Sequence, residues 1–293
     1  MRNAPLVSVI VPTYNRADTL GRTLQSILDQ TFRDYEIIVV DDGSTDETRA
    51  LVESSLQGVS FKYIYQMNKG VAGARDTGMK ACQSEYLAFC DSDDLWLPEK
   101  LERQMPLFAP DTALVYSDAY ACAEIFPQPK ARFRCFELNT PFRGEVYQKL
   151  VERNFVVTSS AVVRRQALAD FTHYPLTNAD DWQMWLWLAK RGPFEYAAEP
   201  LVYYYEHSQG LSKQKIGAAV SRLAVRKHEL FLIKGTAAPN ARLIRALNLL
   251  IFKDALLIQV LKIMPFGIMK RLSALYYKWL PLRKVALKMG IGS

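Results

Sequence analysis

Three carboxylates crowd into four positions at Asp91, Ser92, Asp93 and Asp94, inside the stretch LAFCDSDDLWLPEKL. Apolar residues run into the cluster and resume behind it, so the like charges sit at the edge of a buried segment. One acid would serve to start the helix expected after Pro98, with Glu99 in its first turn. Three suggest a compensating positive charge that the chain does not itself supply. In an extended segment, side chains two apart point the same way, so Asp91 and Asp93 can offer oxygens to one cation. Hard divalent ions such as Mg2+ and Mn2+ take oxygen ligands. Mg2+ is usually held by one or two carboxylates, with substrate phosphates completing the shell. A metal ion arriving with a diphosphate is the chemistry this spacing points to.

The surrounding elements must place that cluster. VSVIVP (7–12), YEIIVV (35–40), FKYIYQ, EYLAFC and TALVYSDAYAC read as strands, the first two as continuous apolar runs buried on both faces. Between them, Leu20, Leu24, Ile27 and Leu28 fall at helical spacing. Ser44 and Glu47 read as a capping box for a helix through about Leu56. GVAGARDTGMKAC and the segment after Pro98 complete the alternation, which predicts an α/β fold with a mostly parallel, helix-covered sheet. Open sheets of this kind bind ligands beyond the carboxyl ends of their strands. Three of those ends are PTYN, DDGSTD and DSDD, and all three would gather on one edge. Residues 123–145 show no clear period and read as a surface loop region. A short helix, the run FVVTSSAVV, the tryptophan-rich helix DDWQMWLWLAKRG and the extended EYAAEPLVYYYEH follow. The spacing of Trp182, Trp185 and Trp187 favours core packing for at least two of them. No GxGxxG follows the first strand and no GxxxxGK[ST] occurs, which disfavours dinucleotide oxidoreductases and P-loop phosphotransferases.

The chain has 293 residues, 49% of them hydrophobic, enough for a large core. Its net charge of +7 hides two different segments. Residues 1–211 hold 21 Lys and Arg against 28 Asp and Glu, whereas residues 212–293 hold 16 against 2. Cys82, Cys90, Cys122 and Cys135 lack the spacing of a metal or redox motif, so a reducing compartment is expected. The short N-terminal run PLVSVIVP is not expected to be a signal peptide, and no apolar run approaches the roughly 18 residues of a membrane-spanning helix.

Taken together, VSVIVPTYNRADTLGRTLQSILDQTFRDYEIIVVDDGSTDETR, NKGVAGARDTG and YLAFCDSDDLWLPEKL resemble glycosyltransferase family 2, the nucleotide-sugar transferases with a GT-A fold. The likeness covers about the first 120 residues densely and resumes at NADDWQMWLWLAKRG and YYYEHSQGLS. The resemblance implies that Pro12 and Tyr14 lie against the base and ribose, the base being uracil in well-known relatives. It implies that Asp42, with Asp41 beside it, accepts a hydrogen bond from the base edge, and that Arg75 and Ser92 lie near the donor. Asp91 and Asp93 match the metal-binding motif, Asp93 being the direct ligand. Asp181 matches the general base, the family's Glu-Asp pair being written here Asp180-Asp181. His207 matches a histidine near the metal or diphosphate. Asp76 stands where the family usually has asparagine. The implied reaction is an inverting, Mn2+- or Mg2+-dependent transfer from a nucleoside-diphosphate sugar, UDP-linked by likeness, to a glycan or lipid-linked hydroxyl. Cell-surface polysaccharide synthesis in the cytoplasm, at the inner face of the membrane, is the expected setting. The Gln-x-x-Arg-Trp motif and membrane helices of processive synthases are lacking, which favours single addition.

Residues 212–293 read as a basic amphipathic helical tail. Leu243, Leu247, Leu250, Asp254, Leu257 and Leu261 form a heptad seam with one polar interruption. Basic helices with Trp, Tyr and Leu commonly lie on anionic membranes, the reading preferred here. Packing on the catalytic domain or on a second copy, as a homodimer, is the next reading; nucleic-acid binding ranks last. For the whole chain, the alternative to a transferase is a non-catalytic nucleotide-sugar- or nucleic-acid-binding protein.

Overall fold

A computed structural model describes residues 4–124, 129–173, 179–206, 215–236 and 238–263. The chain divides into two compact units, Met1–Lys213 and Gln214–Ser293.

The first unit is built on one sheet. Its strands are β1 (Val7–Thr13), β2 (Tyr35–Asp41), β3 (Phe61–Tyr65), β4 (Tyr86–Phe89), β5 (Leu95–Trp96), β6 (Leu114–Glu124), β7 (Lys130–Arg134), β8 (Val162–Arg164) and β9 (Phe194–Tyr205). They run in the order β3-β2-β1-β4-β8-β6-β9-β5, with β7 paired to β6. β1 to β4 are mutually parallel, and β9 is parallel to β6. β8 is antiparallel to both β4 and β6, and β5 is antiparallel to β9. The parallel half thus follows the alternation in the sequence. The three-residue β8, which starts at the end of the FVVTSSAVV run, separates β4 from β6; the middle of that run is a short 3-10 turn, Thr158–Ser160.

Helices α1 (Leu20–Leu28), α2 (Thr48–Ser55), α3 (Gly70–Ala81), α4 (Lys100–Gln104), α5 (Cys135–Leu138), α6 (Tyr147–Glu152) and α7 (Asp180–Leu188) connect and cover the strands. The continuous apolar character of β1 has a direct cause. Val7, Val9 and Val11 point to a core shared with Leu20, Leu24 and Ile27 of α1 and Val52 of α2. Ile10 faces the other way, toward α3. There a Cβ on Gly78 would lie 2.5 Å from Ile10 Cγ2, so only glycine lets helix and strand approach this closely. With both faces covered, even the polar Ser8 of β1 is fully buried, its hydroxyl bonded to Glu36 and Ser84 at 2.7 Å each.

Two local expectations are corrected. Ser44 and Glu47 do not form a capping box. Ser44 Oγ instead accepts from Asn15 N at 2.9 Å, and Asp46 Oδ1 takes Thr48 N at 3.1 Å at the start of α2. The Asp wins because it sits two residues before the free amide, within reach of a short carboxylate. Nor is 123–145 wholly loop: β7 returns along β6, and α5 follows it. Two bulges in the β6–β7 pairing break the period that would have revealed the strand.

The second unit contains α8 (Lys215–Lys234) and α9 (Ala241–Ile263), packed against each other. Val225 and Ile233 of α8 and Leu243, Leu247 and Ile258 of α9 are buried. The inward seam is therefore Leu243, Leu247, Asp254 and Ile258; Leu257, expected in it, is exposed. A straight helix of 3.6 residues per turn drifts off a strict heptad, which moves the last contact on by one residue. The side chain of Leu261 lies outside the described residues. The polar interruption is an ion pair: buried Asp254 bonds buried Arg226 and also accepts from Arg222 Nε at 3.4 Å. Replacing Asp254 by Ala removes the carboxylate that meets the buried Arg226 and should cost about 3–5 kcal/mol. Urea unfolding followed by circular dichroism should show that loss, and the paired change Arg226→Met with Asp254→Leu should recover most of it.

Candidate active site

The carboxyl ends of β1, β2 and β4 lie side by side, with Thr13 opposite Asp41 and Cys90 N bonded to Ile10 O at 3.0 Å. Side chains lock the loops beyond them together. Asn15 takes a positive φ of 50° and its Oδ1 accepts from Thr45 N at 2.8 Å, joining PTYN to DDGST. Thr19 Oγ1 donates to Ser92 O at 3.0 Å, and Arg16 lies 3.9 Å from Asp93, joining PTYN to DSDD. The three polar ends form one floor.

Within it the acids have separate tasks. Asp41 Oδ1 accepts from Ser44 N at 2.8 Å and its Oδ2 accepts from Tyr63 OH. Both oxygens of this buried residue accept bonds from the protein, so Asp41 shapes the turn beside Asp42. Gly43 at φ 91° makes that turn possible. Asp42 Oδ1 accepts from Gln66 Nε2 at 2.6 Å and Lys69 N at 2.9 Å. Asp94 is buried, with Oδ2 accepting from Ser159 Oγ at 2.5 Å and Oδ1 from Tyr205 N at 2.9 Å. Burial, then the charges of Asp93 and Asp91, push its carboxyl well above the usual range. Ser159 Oγ also takes Asp91 N at 2.9 Å, so one hydroxyl sets the geometry of the whole DSDD turn. Below it, Trp96 Nε1 donates to Ser159 O at 2.9 Å, and the fully buried Lys100 lies 4.1 Å over the Trp96 ring.

Asp91 and Asp93 keep side chains that are 28% and 18% accessible, unlike Asp94. Among the described residues no group of three or more His, Cys, Asp or Glu is arranged around one point. Two hard oxygen donors without a protein cage fit an ion that retains water and phosphate ligands, as Mg2+ and Mn2+ do. His207 lies outside the described residues. Ser92 is buried beneath the floor, whereas Pro12 lies within β1 and Tyr14 beyond it is 48% exposed, a free aromatic face at the mouth.

Arg75 comes up through α3 and is only 4% exposed. Its Nη2 donates to Asp91 Oδ1 at 2.6 Å and its Nη1 to Asp180 Oδ2 at 2.5 Å. Burial alone would lower the guanidinium pKa; the charges of Asp180, Asp91 and Asp181 raise it instead. The adjacent acids of α7 are thereby split. Burial alone would raise Asp180, but Arg75 overcomes it and holds that carboxyl below its ordinary value. Asp181 is pushed up to about 6 by burial and by the Asp180 charge. Its Oδ2 accepts from Asn154 Nδ2 and Thr158 Oγ1, each at 3.1 Å, and its Oδ1 from Trp182 N at 2.7 Å. Trp182 and Trp185 are core residues, and Trp187 Nε1 donates to Ala167 O at 3.2 Å, so α7 is anchored by its tryptophans. Asp76 binds His173 Nδ1 at 2.5 Å, a use for the carboxylate that an asparagine would serve more weakly.

Sequence reading missed Asn154, Thr158 and Ser159, though three hydroxyls interrupting FVVTSSAVV were a signal. It also missed the tie from Arg75 to Asp180, for which residues 105 apart give no local sign. Replacing Arg75 by Met leaves Asp180 buried without its counter-charge. Stability should fall by about 3–5 kcal/mol, measured by urea unfolding with tryptophan fluorescence.

Comparison with known proteins agrees with this geometry. The family model for glycosyl transferase family 2 matches residues 8–172. The UDP-Glc:alpha-D-GlcNAc-diphosphoundecaprenol beta-1,3-glucosyltransferase WfgD of Escherichia coli is 31% identical over 191 residues, covering 63% of this chain and 70% of that protein. The putative teichuronic acid biosynthesis glycosyltransferase TuaG of Bacillus subtilis is 30% identical over 219 residues, covering 73% and 84%. Other relatives are longer: this chain spans 26% of an uncharacterized glycosyltransferase of Rickettsia bellii. Among solved structures, a mannosyltransferase of Pyrobaculum calidifontis in complex with GDP-Man and Mn2+ superposes with a TM-score of 0.64 at 19% identity, covering 98% of this chain and 85% of that one. That likeness shows a shared glycosyltransferase fold, the α/β GT-A type expected from the sequence.

Proposed function

Because this chain belongs to glycosyltransferase family 2, we propose that it moves one sugar from a UDP-linked donor to a hydroxyl of a glycan or lipid-linked acceptor in cell-surface polysaccharide synthesis. A lipid-linked acceptor would set the reaction at the inner face of a membrane. One observation carries the reading: a single buried guanidinium joins Asp91 of the DSDD turn to the acid pair on α7. The two halves of a displacement reaction, leaving group and base, are thus held in one rigid frame.

In this reading the exposed ring of Tyr14 stacks on the base and ribose, and Asp42 accepts from the base edge. Asp91 and Asp93 hold Mn2+ or Mg2+. When bound, the ion supplies charge neutralisation on the departing nucleoside diphosphate. Asp181 takes the proton of the acceptor hydroxyl as the bond from that oxygen to the anomeric carbon forms and the bond to the diphosphate breaks, with inversion. A carboxylate titrating at about 6 suits the task, being ionised at neutral pH yet more basic than an ordinary aspartate. Asn154 and Thr158 hold its Oδ2, and Trp182 N its Oδ1.

Thermal unfolding with UDP, dTDP or GDP, each with and without Mn2+, tests the donor site. UDP with Mn2+ should raise stability by about 2.7 kcal/mol at a hundred times its dissociation constant. No rise with any nucleotide in folded protein would sink the proposal. Asp93→Ala should abolish the metal-dependent rise. Asp181→Asn should keep that rise and lower kcat by about a hundredfold or more. The base must be ionised to act, so kcat should fall tenfold per pH unit below its titration at about 6 and level off above it.

A further inference from the structure

The second unit has an unusual division of its side chains. Between residues 212 and 293 the acids are Glu229 and Asp254, and both are buried. The described outward faces therefore carry cations and no carboxylate. They are also apolar: Phe231 is 74% exposed, Phe252 64%, and Leu249 and Leu256 54% each. Leu249, Phe252 and Leu256 fall on one side of α9, opposite Leu247, Asp254 and Ile258. Exposed Arg245 and Lys253 stand on that same side of α9, whereas Phe231 and exposed Lys227 lie together on the side of α8 away from Val225 and Ile233. A helix pair in plain water would place polar residues there. Large exposed apolar side chains grouped on one face mark a binding surface.

We propose that this face of α9 docks on an anionic phospholipid bilayer, with Leu249, Phe252 and Leu256 among the upper acyl chains and Arg245 and Lys253 at the headgroup phosphates. Charge selects this occupant. A second copy of the same face would set cations against cations with no acid to relieve them. Nucleic acid would accept the lysines but offers little to Leu249 and Leu256, which cannot stack on bases. No described helix is long and apolar enough to cross a membrane, so the pair lies along the surface, as basic helices with bulky apolar side chains do. The proposal deepens the reading of a lipid-linked acceptor, yet its test involves no sugar transfer.

The test is co-sedimentation of the full chain with vesicles of phosphatidylcholine alone or of equimolar phosphatidylcholine and phosphatidylglycerol. Binding should be confined to the anionic vesicles and weaken with added salt. Arg245→Gln with Lys253→Gln should lower partitioning by about 25-fold, at about fivefold per cation. Leu249→Ser with Phe252→Ser should lower it at least about tenfold. These side chains are on the surface, so circular dichroism and the UDP-dependent thermal shift should match the unaltered protein. Failure to bind anionic vesicles, or equal binding by both variants, would overturn the proposal. So would a concentration-dependent dimer in sedimentation velocity that the Leu249→Ser, Phe252→Ser variant loses while vesicle binding stays unchanged. The same holds for RNA or DNA binding that the Arg245→Gln, Lys253→Gln variant loses while its vesicle binding persists. If vesicle binding fails but the nucleotide shift remains, the docking surface falls and the transferase reading stands.

Discussion

A buried positive charge governs the site. Arg75 is removed from water, and its position is tolerable only because Asp91 and Asp180 both meet its fork. Each contact explains something beyond itself. The bond to Asp180 holds that acid ionised, and its charge then lifts the neighbouring Asp181. The bond to Asp91 ties the end of a central strand to the start of a helix far along the chain. One guanidinium thus converts two acids that are adjacent in sequence into groups with opposite behaviour. A lysine could not do the same, having a single charged atom where two carboxylates must be reached.

That arrangement needs a platform that does not move. The parallel strands β1, β2 and β4 provide it, covered on one side by α1 and α2 and on the other by α3 at the close approach of Gly78. The loops beyond them could wander, but each is pinned by a short polar side chain to another: Asn15 to Thr45, Thr19 to Ser92, and Ser159 to both Asp91 and Asp94. Acids with both oxygens engaged, such as Asp41 and Asp94, shape the floor. Acids left more accessible, Asp91 and Asp93, face what binds there.

The helical unit applies the same rule to a different end. Its acids point inward, where Asp254 stabilises the buried Arg226, and the described outer face keeps cations and large apolar groups without a carboxylate. Burying the few negative charges makes the exposed surface more one-sided than the composition suggests.

Much of this was legible in the residues themselves. Continuous β-branched runs announce strands covered on both faces, and acid-rich strand ends announce a ligand edge, because buried strands tolerate such residues only where the chain leaves the core. The family follows from the same segments. The pairings were not legible. Asp180 and Asp181 look alike in sequence, and only the approach of Arg75 across 105 residues separates them. Ser44 and Glu47 have the spacing of a cap, yet the fold spends Ser44 on Asn15. The heptad seam predicts Leu257 inside, but a straight helix turns Ile258 inward instead. Periodicity and residue type determine which face of an element avoids water. Which polar group meets which, and hence what each can do, is decided only when distant segments are brought within hydrogen-bond reach.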